Sequence, residues 1–205
     1  MAEGNIINKP AWYQTKVQSI NAEARRLFEN YSGFKPDEVL PHVLKLLNLP
    51  KIHRQRDEAF SIWHYPCIGQ LRFLSFSLPE HTVYSRVLAR LREDPSSHFL
   101  EAGCYFGQEI RYLADQGIPG IQLMGCDVEP AFFDLGYKLF RDQNTLGATF
   151  VSGDLTSEQC LESSTGISRC LANMVDIVFA SSLFQLWNYE CQVHAAINFG
   201  SPLPR

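Results

Sequence analysis

Beyond about residue 96 the chain alternates two kinds of apolar pattern. Short, nearly continuous apolar runs at residues 98–102, 121–126, 148–152 and 175–180 have the length and composition of buried strands. Between and after them, residues 106–117, 131–143, 157–171 and 183–197 carry apolar positions at helical spacing. Val175-Asp176-Ile177-Val178-Phe179-Ala180 is apolar nearly throughout, as expected of a parallel strand covered on both faces. This alternation predicts an α/β fold with a doubly wound, mainly parallel sheet. Right-handed crossovers then place the first two strands side by side, near the point where the strand order reverses.

Before residue 95 the pattern is helical, over residues 21–31, 37–47 and 80–92, with a shorter irregular segment at 69–76. Pro36 precedes Asp37-Glu38 and Pro79 precedes Glu80, as suits helix starts, because a first turn has no use for the amide hydrogen that proline lacks. Asn48 and Pro50 close the second helix, and Asp94-Pro95-Ser96-Ser97 breaks the chain. The expected layout is a helical cap or substrate region at 1–95, an α/β core at 96–197 and a loose tail at 198–205.

The carboxyl ends of the strands carry the candidate chemistry. Phe99-Leu100-Glu101-Ala102-Gly103-Cys104-Tyr105-Phe106-Gly107 runs an apolar strand into an acid, then into two glycines four apart at a helix start. Glycine there tolerates positive φ and admits a ligand close to the backbone. A dinucleotide would set its pyrophosphate at this helix N-terminus, where the Glu101 carboxylate is unwelcome. Tyr105 also stands where the GxGxxG fingerprint has its second glycine. Both points favour a cationic ligand bearing adenosine, S-adenosylmethionine, over NAD. An ordinary strand–turn–helix connection without a ligand is the alternative.

Asp127, in Gly125-Cys126-Asp127-Val128, ends the second strand 24 residues after Gly103, the separation of an acid that accepts from ribose hydroxyls. It could equally cap the helix starting near Pro130, as could Glu129. Asp154, in Ser152-Gly153-Asp154-Leu155, ends the third strand. It could accept from the adenine amine, with Leu155 against the ring, or cap a helix beginning near Ser157. The fourth strand ends at Ala180-Ser181-Ser182-Leu183-Phe184, over the place where the methionine portion would lie.

Composition narrows the partners. The chain has 205 residues, 45% hydrophobic and 20% charged, with a formal charge of −4, which gives no reason to expect nucleic acid or an anionic membrane. No secretory pattern opens the sequence and no apolar run is long enough to span a bilayer. Six cysteines, at 67, 104, 126, 160, 170 and 191, form no CxxC pair, so no metal site is expected and the compartment reads as reducing and cytoplasmic. Cys104 and Cys126 read as small buried hydrophobes.

Taken in order, these segments resemble the motifs of class I S-adenosylmethionine-dependent methyltransferases. Residues 99–107 look like the first motif, Gly125-Cys126-Asp127-Val128 the second, Gly153-Asp154-Leu155 the third, and Val175 to Ser182 the fourth. Tyr105 departs from the usual middle glycine. More narrowly, Trp63-His64-Tyr65-Pro66-Cys67-Ile68-Gly69-Gln70 and Leu183-Phe184-Gln185-Leu186-Trp187-Asn188-Tyr189 are similar to fungal methyltransferases that tailor polyketides and meroterpenoids. The resemblance implies a Rossmann-like core, a cofactor site at Glu101, Gly103, Gly107, Asp127, Val128, Asp154, Leu155, Ala180 and Ser181, and O-methylation of a small metabolite. The family's sheet has more strands than are readable here, so a C-terminally truncated or alternatively spliced form is expected.

An acceptor hydroxyl benefits from a general base, and His64, in an aromatic-rich segment, is the first candidate, with a plain core histidine as the alternative. His194 is a weaker candidate, and His42, His53, His81 and His98 offer nothing specific. Phe60, Trp63, Tyr65 and Phe73 could line an apolar pocket or simply pack the core. Two other functions stay open: an NAD-dependent oxidoreductase, and a catalytically impaired partner that keeps the fold.

Overall fold

Asn21 starts the first helix, α1 (Ala22–Asn30), because its side-chain oxygen accepts the Ala24 amide at 2.7 Å, satisfying one donor that a first turn leaves over. Its Nδ2 donates to the Leu74 carbonyl, and Ala24, Leu27 and Phe28 form the buried stripe. Phe34 meets Phe28 edge-on at 5.9 Å, and α2 (Val39–Asn48) adds Val39 and Val43 to this core. Phe73 is buried here as well, as a packing residue.

The structure, a computed structural model, describes residues 19–48, 71–156 and 175–200, which fall into two compact units divided between Ser75 and Phe76. The division therefore precedes the composition break at 94–97, and α3 (Tyr84–Glu93) belongs to the second unit. That helix begins four residues later than Glu80, because residues 78–83 close turns in which His81 bonds back to Leu78 and Tyr84 to His81.

The second unit holds the expected sheet. Strands β1 (Phe99–Ala102), β2 (Leu123–Asp127), β3 (Thr149–Ser152) and β4 (Ile177–Phe179) pair in parallel in the order β3-β2-β1-β4. The chain moves outward from β1 through β2 to β3 and returns on the other side of β1, so the order reverses at β1, where α/β sheets bind ligands. Helix α4 (Gln108–Asp115) follows β1 and α5 (Ala131–Phe140) follows β2. Among the described residues this is the Rossmann-like α/β fold that the alternating pattern predicts.

Strand pleating sends alternate residues to opposite sides. Leu100, Ala102, Met124 and Cys126 join Leu155 in one buried cluster, onto which Val151, Ala180, Leu183, Trp187 and Phe199 pack. Two expectations change at the C-terminal end. The helix expected at 183–197 is instead a 3-10 turn at Phe184–Leu186 followed by α6 (Tyr189–Gly200), started by Asn188, whose Oδ1 accepts the Cys191 amide at 2.9 Å. The tail expected from 198 still belongs to α6 at its first residues, since buried Asn198 donates to the Leu155 carbonyl at 2.7 Å. The helix expected at 157–171 lies outside the described residues.

Candidate functional site

The turn from β1 to α4 is closed by its own amides. Gly103 and Cys104 donate to the Cys126 carbonyl at 2.9 and 3.0 Å, Tyr105 donates to Asp127 Oδ2 at 2.9 Å, and Gly107 donates to the Cys104 carbonyl at 2.7 Å. A pyrophosphate needs such N–H groups to point at it. Here four are already engaged, and two carboxylates stand nearby. The turn is thus unsuited to a dinucleotide on hydrogen-bonding grounds as well as on charge.

Gly103 and Gly107 both take positive φ, +69° and +66°. The space a side chain would fill is occupied, at Gly103 by Leu183 (2.8 Å from where a Cβ would stand) and at Gly107 by Arg111 and Phe150 (2.8 and 2.9 Å). A side chain at either position would therefore meet the protein's own atoms, which together with the positive φ is why glycine suits this turn. Tyr105 adopts φ +52°, a costly conformation outside glycine, and its ring stacks on Phe106 at 3.8 Å and meets Phe132 edge-on at 4.4 Å.

Glu101 is the most unusual group of the site. It is 4% exposed, and its Oε2 has no hydrogen-bond partner. Burial, and after it the neighbouring Glu109 carboxylate, push its pKa well above the usual carboxylate range. Because the raised value belongs to the folded state, stability falls as pH rises from the ordinary glutamate value through the raised one, where the unfolded chain binds fewer protons than the folded one. Glu101→Gln removes this loss. Its melting temperature should exceed that of the original protein increasingly toward neutral and alkaline pH, with the gap closing in acid. Parallel pH profiles of the two melts would contradict it.

Asp127 ends β2 beside this turn. Its two oxygens accept the amides of Tyr105 (2.9 Å) and Glu129 (3.2 Å), and burial raises its pKa against those hydrogen bonds. Capping and ligand binding are not exclusive here, because each carboxylate oxygen has a second lone pair. Val128, next in sequence, is exposed. Asp154 is exposed, and its Oδ1 accepts both the amide and the hydroxyl of Thr156, at 2.8 and 2.7 Å, which is a local turn cap. Leu155 is buried in the core cluster with Leu100, Ala102, Met124 and Cys126. Ala180 is half-buried and Ser181 is exposed at the end of β4.

The tips of β1 and β2 are thus brought together by direct hydrogen bonds. His64, Phe60, Trp63 and Tyr65 lie outside the described residues, and His194 is half-buried on α6. Cys104 and Cys126 are buried as expected, and burial raises the Cys104 thiol pKa well above its ordinary value. Among the described residues no group of His, Cys, Asp and Glu suits a metal ion, and no helix is long and apolar enough to cross a membrane.

Sequence reasoning missed the group that braces the site. Arg111 is fully buried, with Nε and Nη2 on the two oxygens of Asp142 (2.7 and 3.0 Å) and Nη1 on the carbonyls of Phe106 and Gly107 (2.7 and 3.2 Å). The signal available was an arginine in a helix between the apolar positions Ile110 and Leu113. Glu109 and Ser77 were missed as well: Glu109 is buried and accepts both the amide and the hydroxyl of Ser77.

Comparison with known proteins places this geometry in context. A family model described as the meroterpenoid methyltransferase N-terminal domain matches residues 12–74. The chain is 34% identical over 187 residues to O-methyltransferase phiE of a fungal species, covering 91% of this chain and 57% of that protein. It is 34% identical over 175 residues to the asnovolin E/chermesin D methyltransferase nvfJ of Aspergillus novofumigatus, covering 85% and 57%. To O-methyltransferase atr3 of Stereocaulon alpinum it is 32% identical over 179 residues, covering 87% and 47%. The chain therefore spans 47–57% of the length of these three curated relatives. No solved structure matches.

Proposed function

We propose that this chain, a relative of fungal secondary-metabolite methyltransferases, binds S-adenosylmethionine at the strand tips and serves in the O-methylation of a small polyketide or terpenoid metabolite. The observation that carries the reading is Glu101, a buried carboxylate with an unpartnered oxygen beside a turn whose amides are engaged. That pairing suits a cation and disfavours a phosphate. The chemistry of the neighbouring donors fits too, since Asp127 offers acceptor lone pairs of the kind that ribose hydroxyls need.

The donor, when bound, supplies an electrophilic methyl group on a sulfonium. In this reading Asp127 takes the ribose hydroxyls, exposed Val128 and Asp154 face the adenine, and Glu101, Ala180 and Ser181 border the amino-acid end. Gly103 and Gly107 shape the turn, and Leu155 supports the third tip from the core. His64 is proposed as the base that takes the acceptor's hydroxyl proton. The protein's further task is to hold both partners in line and exclude water, which is where much of such a rate enhancement originates.

Calorimetry of the 205-residue chain with S-adenosylmethionine, followed by mass spectrometry of phenolic and terpenoid acceptors, tests the reading. Binding on the order of micromolar and a product heavier by one methyl group are expected. A well-folded sample that binds NAD as tightly, or binds neither ligand, would overturn it.

A further inference from the structure

The Glu101 carboxyl is surrounded mainly by groups of its own sign. Glu109 on α4 and Asp127 on β2 stand near it, Cys104 lies in the turn just beyond, and Phe179, its register partner on β4, brings no charge. The nearby cation, Arg111, is engaged by Asp142 and by the carbonyls of Phe106 and Gly107. The amides of Ser77 and Leu78 and the Ser77 hydroxyl support a charge on Glu109, and the amides of Tyr105 and Glu129 support one on Asp127. Of these three acids, only Glu101 has a buried oxygen without a donor. A carboxyl so placed keeps its proton rather than stay ionised. The titration agrees: burial first, then Glu109, raise its pKa against the Ile110 amide and Arg111.

What a ligand does to such a group depends on charge, because in a poorly solvated interior the field of a cation reaches past hydrogen-bond contact. S-adenosylmethionine and its demethylated product, S-adenosylhomocysteine, carry the same adenosine and the same amino-acid end, whose ammonium is balanced by its own carboxylate. They differ by one methyl group and by one positive charge, on sulfur. When the methyl group passes to an acceptor oxygen, the C–S bonding pair stays on sulfur and the acceptor's hydroxyl proton leaves. The sulfonium becomes a neutral thioether. The charge that favours an ionised Glu101 is thus the one that the reaction removes.

We propose that Glu101 is a charge sensor that separates donor from product, losing a proton to solvent when S-adenosylmethionine binds and regaining one when the sulfonium has become a thioether. The proposal rests on the donor being S-adenosylmethionine. Contacts to the amino-acid end cannot produce the effect, since both ligands have that end. The sign with pH follows from linkage. Donor binding favours the ionised form, so donor affinity rises with pH between the donor-bound and the free pKa of Glu101, by about tenfold per pH unit at most, and product affinity rises less. Above that window the preference for donor is constant and at its largest.

Calorimetry of the full chain with S-adenosylmethionine, S-adenosylhomocysteine and adenosine, each in two buffers of different ionisation heat, counts the protons released on binding. At about pH 6.5, below the usual range of an α-amino group, the ligands' own ammonium stays charged. There the donor should release more protons than the product, by up to about one. Adenosine, which has no charge and engages the Asp127 end, should release the fewest. The ratio of donor to product affinity should rise with pH by a factor on the order of ten. In Glu101→Gln the two proton counts should coincide and the ratio should stay level; thermal melts check that this variant is folded, and the two ligands on the original chain give the comparison without it. Equal counts for donor and product on the original chain, or a difference that survives in Glu101→Gln, would overturn the sensor and leave the donor assignment standing. Failure of the folded original chain to bind S-adenosylmethionine would instead overturn the donor assignment, and the sensor with it.

Discussion

Arg111→Met should destabilise the second unit by about 3–5 kcal/mol, the usual cost of leaving one partner of a buried ion pair alone. Asp142 is 3% exposed and takes two bonds from this guanidinium, and the carbonyls of Phe106 and Gly107 take two more. The rings of Tyr137, Phe140 and Phe150 surround the charge at 5.4, 4.7 and 5.6 Å from their centroids, so no water replaces it readily. Arg111→Lys should recover only part of the loss, because an ammonium cannot bridge a carboxylate bidentately and reach both carbonyls. Replacing Asp142 by asparagine in the methionine background should restore part of the stability by removing the orphaned charge. Urea unfolding measures all three variants. A loss under about 1 kcal/mol in Arg111→Met would show that the pair is a spectator.

The same bracket explains why the two strand tips hold their spacing. At Gly136 on α5 a Cβ would stand 2.4 Å from the Phe106 carbonyl, so the helix after β2 lies directly on the turn after β1. Arg111 binds that same carbonyl and reaches Asp142, just past the end of α5. The relation of Asp127 to the Gly103–Gly107 turn is therefore braced by Arg111 and α5, and the Tyr105 to Asp127 hydrogen bond joins the two tips directly.

What the sequence revealed and what it hid follow a common rule. Strand positions and the acids at their ends were legible, because each strand is a short apolar run and each acid lies in its run or just after it. Only β1 and β2 are buried along their length, while β3 and β4 are partly exposed. Helix ends were less so. Helix α5 stops at Phe140 because Arg141 takes φ +54°, and α6 waits for Asn188 to cap it; neither choice is forced by periodicity. The contacts that tie the site together span long separations: Arg111 and Asp142 lie 31 residues apart, Ser77 and Glu109 lie 32, and Ser77 and Ser181 lie 104. No local pattern announces such pairs. Tyr105 was readable as a departure but not as a solution. The structure tolerates it through ring packing on Phe106 and Phe132, and it keeps the backbone shape that a glycine would give there.

Asp127→Ala should lower affinity for S-adenosylmethionine about a hundredfold, roughly 2.7 kcal/mol. Two losses combine. The ribose hydroxyls lose an acceptor, and the amides of Tyr105 and Glu129 lose theirs, which frees the turn that frames the ligand. Adenosine alone should lose affinity by a similar factor, since the effect belongs to the nucleoside end, whereas Ser181→Ala should leave adenosine untouched. Asp127→Asn should fall between, because one amide oxygen can still accept while its NH2 opposes the second donor. The pH dependence has a definite sign. Burial raises the Asp127 pKa, and the ionised form is the one that accepts from two hydroxyls. Affinity should therefore decline on acidification at a pH above the ordinary aspartate range, and that decline should be absent in Asp127→Ala. If the alanine variant stays folded and binds the nucleoside as well as the original chain does, ribose recognition lies elsewhere and the assignment of the β2 tip fails.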